Sequence, residues 1–253
     1  MRVTVITVCL NAEKYIAQQL KTVADQSWHD LEHIVVDGGS SDNTLAIVRS
    51  AAKTTSNLRW ISGPDSGISD AMNKALALAT GEIIAILHAD DFYPDSAVLG
   101  KVAEAFAARP DAEWLTGGVQ YVDLAGRILK SHRPRYWSYR RLLRGNILFH
   151  PATFVRSQAL AQVGRFDTSL RYTMDYDLWL RLGKRGAPLS LDLPLACFRI
   201  HPGSTSVKHV DAAFKEELKV RCRYLQGKPL QTALHLFYYC LKFLPNRLSV
   251  RDR

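Results

Sequence analysis

Cysteine is scarce and scattered in this 253-residue chain: Cys9, Cys197, Cys222 and Cys240 form no C-x-x-C pair. That argues against a zinc site or a disulfide framework and makes reduced thiols, as in a cytosolic protein, the expectation. No run approaches the roughly 18 consecutive apolar residues of a membrane-spanning helix. The opening "MRVTVITVCLNAEKY" alternates apolar residues with Thr and breaks at Asn11 without a small-residue cleavage site. It reads as a first core strand, not a leader. Neither G-x-G-x-x-G nor G-x-x-x-x-G-K-[ST] occurs, so dinucleotide-binding and P-loop readings lose their main support. Internal repeats and low-complexity linkers are missing as well.

What is present is a soluble composition, 47% hydrophobic and 23% charged, on a chain long enough for one large α/β domain with an appendage or two small domains. The formal charge of +9 calls for an anionic partner. Nucleic acid, an acidic membrane surface and phosphorylated small molecules all qualify, and charge does not choose among them.

Strand-like runs at residues 3–9, 33–36, 58–62 and 83–87 alternate with helix-like segments at 13–25, 42–53, 69–79 and 95–108. This alternation predicts βαβ units and a mostly parallel sheet. Beyond residue 108 two strands joined by a turn at 124–127 are expected, then a basic aromatic segment, a helix over 175–184, a strand ending near Arg199 and a helical tail from about Lys208.

In a parallel sheet every strand-to-helix loop emerges on one edge, so Asn11, Asp37, Asp65 and Asp90 should converge there. Singly, each loop has a plain structural explanation. "VVDGGSSDNT" reads as a tight turn followed by a Ser41 or Asp42 cap, Ser69 or Asp70 serves as a cap in "GPDSGISDAMNK", and Asp90 and Asp91 in "ILHADDFYPD" sit before a helix. Jointly, an acid-lined edge in a basic protein suits a sugar nucleotide whose diphosphate is bridged by a divalent metal.

In order, "VITVCLNAEKYI", "HIVVDGGSSDNT", "GPDSGISDAMNKALALATGEIIAILHADDFY", "GRFDTSLRYTMDYDLWLRL" and "CFRIHPGSTS" resemble glycosyltransferase family 2, the inverting enzymes of the GT-A fold, over about residues 1–205. The resemblance implies an α/β fold, a Rossmann-like, mostly parallel sheet flanked by helices. It further implies a nucleotide-binding half at 1–110 and an acceptor-binding half at 111–206; charge and helical spacing add a basic helical tail at 207–253. Carried onto this chain, it places donor contacts at Thr7, Asn11, Glu13, Asp37, Asp65, Asn73, Lys74, Asp90, Asp91 and Arg199. The family's Asp-any-Asp motif falls on His88, Ala89 and Asp90, so its first acid is replaced, and Asp90 with His201 is left to hold Mn2+ or Mg2+. The role of His88 stays open between ligand and core residue.

The family's catalytic Glu-Asp pair falls on Met174 and Asp175, which leaves Asp175 as the base. Asp177, two residues on, points to a different side of a helix. Asp175 could instead cap the helix that follows.

Between Lys130 and Arg144 six basic residues interleave with Tyr136, Trp137 and Tyr139. Such a segment can stack on nucleic-acid bases or form a solvated basic face. In a glycosyltransferase it reads as an acceptor lip of Tyr136, Trp137 and Arg140, with His150 nearby. The acceptor is then a glycan or lipid-linked glycan for a bacterial-type surface polysaccharide. The processive synthases' Gln-x-x-Arg-Trp motif and membrane helices are absent, which points to single-sugar transfer; under this resemblance no nucleic-acid partner is expected.

Residues 207–253 carry ten Lys and Arg against four acids, a net +6 of the chain's +9. "LQTALHLFYYCLKFLPNRL" has an apolar face at helical spacing, so the tail lies on an anionic membrane surface or packs on the catalytic domain or on another subunit of a homo-oligomer. The expected location is cytoplasmic, and peripheral on the inner face of the cytoplasmic membrane where the tail takes the membrane role. Rival readings are a nucleotidyltransferase, which lacks its basic Gly-rich first loop here, and a non-catalytic nucleic-acid-binding protein.

Overall fold

Seven successive residues of β1 (Val3–Cys9) and seven of β2 (Leu31–Asp37) are buried. Strands covered on both faces lose the apolar-polar alternation of half-exposed ones, which is why these read as near-continuous apolar runs. A computed structural model describes residues 1–204, 208–227, 229–230, 232–234 and 236–237 of the chain. Most of the segment expected to form the tail's apolar face lies outside the described residues.

β1, β2, β3 (Leu58–Ser62) and β4 (Ile83–Ile86) pair in parallel, joined by α1 (Ile16–Ala24), α2 (Thr44–Thr54) and α3 (Ile68–Leu78). After α4 (Val98–Ala108) the sheet continues through β5 (Trp114–Val122), β6 (Ile128–His132), β7 (Thr153–Arg156) and β8 (Leu189–Arg199). The eight strands form one sheet in the order β3-β2-β1-β4-β7-β5-β6, with β8 paired to β5. β7 runs antiparallel to β4 and β5, β6 antiparallel to β5, and β8 parallel to β5. Six strands therefore share one direction, and β6 and β7 oppose it.

One face of the sheet packs Ile6, Ile34, Met72, Trp114 and Trp179 with α3, α6 (Ser157–Val163) and α7 (Met174–Gly183). The other packs Val3, Val5, Val102 and Phe106 with α4. Trp179 stacks on Trp114 at 6.0 Å between centroids, a core role. Short α5 (Tyr139–Leu142) lies against α7, and α8 (Val210–Tyr224) belongs to the tail. Glu216 of α8 accepts the backbone N–H groups of Arg171, Tyr172 and Thr173 at 3.0, 2.7 and 2.9 Å. These donors precede α7 and would otherwise be left orphaned at a helix start, so the tail fixes the entry to that helix.

Candidate active site

The C-terminal ends of β1, β4 and β8 deliver their loops to one edge of the sheet, and α7 and α8 close the other side of a cleft of about 1000 Å³. Asn11, Glu13, Asp90, Asp91, His150, Asp175 and His201 line it, with His88 and Asn146. These come from segments up to 190 residues apart in sequence, Asn11 to His201, and only the sheet topology brings them together.

Asn11 has φ 51°, the left-handed region that Asn tolerates better than most residues. The turn lets its Oδ1 accept the Ser41 N–H at 2.9 Å, and Glu13 Oε2 accepts from Asn43 N and Nδ2 at 3.0 and 2.9 Å. The loops after β1 and β2 are thus tied into one wall.

Asp90 Oδ2 and His201 Nε2 meet at 3.0 Å. Asp91 points inward: it is buried, its Oδ1 accepts the Arg199 N–H at 3.1 Å, and its Oδ2 has no protein partner. Burial, and then the Asp90 charge, push its carboxyl well above the usual range. Among the described residues no group of three His, Cys, Asp or Glu converges as a metal cage. The protein's own contribution to a cation would be the Asp90 and His201 pair.

Deeper in the cleft, Asp175 sits in the first turn of α7 with both oxygens engaged. Oδ1 accepts the Tyr176 N–H at 2.7 Å and Oδ2 accepts the Asn146 Nδ2–H at 3.0 Å. The Asn146 Oδ1 accepts the Leu148 N–H at 3.1 Å, which settles which end of that amide faces Asp175. Burial raises the Asp175 pKa against the pull of those donors. His150 Nδ1 is 4.0 Å from Asp175 Oδ2, and the His150 and His88 rings meet edge-on at 5.1 Å. Burial holds both imidazoles at about 4, so they are neutral near pH 7. Asp177 faces elsewhere: it is held by Arg181 at 2.9 Å and by the Tyr224 hydroxyl at 2.9 Å.

Several residues expected to contact the donor make bonds within the protein in this structure. Thr7 is buried beneath the cleft, bonded to His33 and Gln19. Asp37 holds its own loop, accepting from Gly39, Ser40 and Ser62. A Cβ at Gly38 would come within 2.5 Å of Asp65 Oδ2, and Asp65 in turn caps Gly67 N at 2.8 Å. Asn73 clamps the Phe166 backbone through both amide atoms at 2.9 and 3.0 Å. Lys74 is drawn to the Pro64 carbonyl and Asp70. None of these five lines the cleft.

The expected acceptor lip divides similarly. Tyr136 is 79% exposed and Arg140 is exposed, both outside the cleft lining. Trp137 meets Trp114 edge-on at 5.2 Å and covers Gly183, where a Cβ would lie 2.9 Å from its ring. It is a packing residue. His150 alone of that group reaches the cleft.

Arg199 braces backbone beside the cleft. It is 2% exposed, and its guanidinium donates to the carbonyls of Asp90, Asp123 and Leu124 at 3.1, 3.0 and 2.8 Å and to Gln18. Four of its N–H donors are thus engaged within the protein, and Arg199 does not line the cleft. We expect Arg199→Ala to cost about 3 kcal/mol by stranding those carbonyls, read as a lower urea midpoint. Arg199→Lys should recover little of it, because a single ammonium cannot reproduce the planar fork.

Fold and cleft together define a GT-A glycosyltransferase. The family model for glycosyl transferase family 2 matches residues 4–165, so the chain belongs to that family. An uncharacterized glycosyltransferase of Mycobacterium tuberculosis is 29% identical over 199 residues, 78% of this chain and 74% of that protein. Chondroitin synthase of Escherichia coli is 27% identical over 83% of this chain, which spans 30% of that longer protein. Among solved structures, Staphylococcus aureus TarS residues 1–349 in complex with UDP-GlcNAc superpose with a TM-score of 0.70 at 19% identity, over 98% of this chain and 73% of that one. The mannosyltransferase from Pyrobaculum calidifontis in complex with GDP-Man and Mn2+ gives 0.67 at 23%, over 95% and 69%.

Proposed function

We propose that the protein transfers one sugar, with inversion, from a nucleotide-diphospho-sugar to a hydroxyl of a glycan or lipid-linked glycan in cell-surface polysaccharide synthesis. The observation that carries this reading is Asp175: a half-buried carboxylate of raised pKa, held in one orientation in the same cleft that Asp90 and His201 line. In the proposed step the acceptor oxygen attacks the anomeric carbon while Asp175 takes the hydroxyl proton. The bond from that carbon to the diphosphate oxygen breaks, and the nucleoside diphosphate leaves. One displacement inverts the configuration.

Residues 1–110 form the donor half in this reading, with Asn11 and Glu13 on the nucleotide side, and 111–206 the acceptor half. Asp90 and His201 would hold a divalent cation, which when bound neutralises charge on the departing diphosphate. A carboxylate beside an imidazole suits Mn2+ better than Mg2+, and a two-residue cradle suits an ion that arrives with its substrate's phosphates. No helix among the described residues is long and apolar enough to cross a membrane.

A panel of UDP-, GDP- and dTDP-sugars with Mn2+, read by thermal stabilisation and donor hydrolysis, tests this. One nucleotide class should stand out. Stabilisation by none of them, with or without metal, would overturn the reading.

A further inference from the structure

The β5–β6 hairpin has a surface that the transfer reaction does not use. β6 pairs only with β5 among the described residues, and residues 128–131 are exposed on both faces of the strand. Ile128 is 58% and Leu129 60% exposed, and Leu124 on the turn is 57% exposed. Ile128 and Leu129 project from opposite faces of the strand and Leu124 from the turn, so the hairpin tip presents apolar side chains on more than one side.

The same stretch is strongly basic. Residues 124–144 hold seven Lys and Arg and no acid. Arg127 and Arg133 pair with Asp123 and Asp192, whereas Lys130, between the apolar residues and Arg133, has no acid partner among the described residues. Apolar side chains ringed by cations match the boundary between acyl chains and anionic headgroups.

Nor is the hairpin a loose arm. Its turn is nailed down by Arg199, which binds the Asp123 and Leu124 carbonyls and, at the other end of its reach, the Asp90 carbonyl. Leu124 itself lines the cleft. Whatever the hairpin touches therefore lies beside the cleft mouth.

We propose that Leu124, Ile128 and Leu129, with Arg127 and Lys130, dock the protein on an anionic lipid bilayer and hold the cleft mouth against it. This deepens the reading above by making the acceptor lipid-linked, and rests on it for that step alone. A second copy adding to the β6 edge is disfavoured. Antiparallel pairing about the strand centre would bring the two Lys130 side chains together, and a central Lys is the device by which edge strands resist such pairing.

The test compares the full chain with Ile128→Ser/Leu129→Ser, by co-sedimentation with phosphatidylcholine vesicles and with vesicles containing phosphatidylglycerol. The wild type should bind the anionic vesicles only, less at high salt, and the variant should bind at least about tenfold more weakly, since two apolar side chains no longer enter the interface. Equal binding by variant and wild type, or no preference for anionic vesicles, would overturn the proposal. So would a wild-type dimer in light scattering that the variant converts to monomer, because a second copy would then cover the patch. Thermal stabilisation by the donor sugar, measured without vesicles, should be the same in both proteins. Failure of the donor panel would sink the transferase reading while leaving the vesicle result standing, and the reverse also holds.

Discussion

Glycosyl transfer by the Asp175→Asn protein is expected to fall by about two to four orders of magnitude, the scale of a lost general base, with donor binding retained. The geometry makes the substitution less silent than a simple isostere. Both carboxylate oxygens accept, one from Tyr176 N–H and one from the Asn146 amide. Asn can offer only one acceptor there, and the Leu148 N–H prevents Asn146 from turning its oxygen toward it. One donor is left facing another, so a stability loss of about 1–2 kcal/mol should accompany the loss of rate.

The double variant Asn146→Asp/Asp175→Asn separates the two effects. It restores a donor opposite an acceptor, so the melting temperature should recover while transfer does not, the carboxylate now being on the wrong residue. Recovery of transfer along with stability would make Asp175 a structural residue. Asp177→Asn is the control, since that side chain is committed to Arg181 and Tyr224: stability should drop and transfer should change little. In the wild type the acid limb of the rate should lie above the ordinary carboxylate range, because burial raises the Asp175 pKa and only the ionised form accepts a proton.

The parts of the fold legible in the sequence are those set by local pattern. Strands over residues 3–9 and 58–62 fall where alternation and turn residues put them, and the hairpin turn expected at 124–127 lies between β5 and β6. The convergence of loops on one edge follows from parallel topology, and of Asn11, Asp37, Asp65 and Asp90, expected there together, Asn11 and Asp90 line the cleft. What was not legible depends on a partner far along the chain. Asn73 looks like any polar residue of a helix until Phe166 arrives 93 positions later to take both ends of its amide. Arg199 carries the composition of a phosphate ligand, and only the approach of the Asp123 and Leu124 carbonyls turns it into a brace. Trp137, in a run of arginines, resembles a sugar platform, yet a glycine at position 183 opens the slot that draws it into the core. Asn146 and Glu216 have no local signature at all. One orients Asp175 and the other satisfies the backbone before α7.

Asp90→Ala is expected to abolish metal-dependent turnover while leaving the fold intact. The side chain is 31% exposed, and the hydrogen bond it makes is to His201, another cleft residue. The contact that matters to packing is its backbone carbonyl, bonded to Arg199, which Ala keeps. Little stability should therefore be lost, and a melting curve within about 0.5 kcal/mol of the wild type is the expected control. His201→Ala should weaken the metal titration rather than eliminate turnover, since Asp90 would still offer a charged oxygen. Asp91 supplies the contrast. Its carboxyl is buried with its pKa pushed well up, and it bonds the Arg199 N–H. Asp91→Asn, which mimics the neutral acid, should retain most of the turnover that Asp90→Asn loses. Near-normal, metal-stimulated activity in Asp90→Ala would move the cation elsewhere. A metal titration unchanged in His201→Ala would leave Asp90 to act without that imidazole.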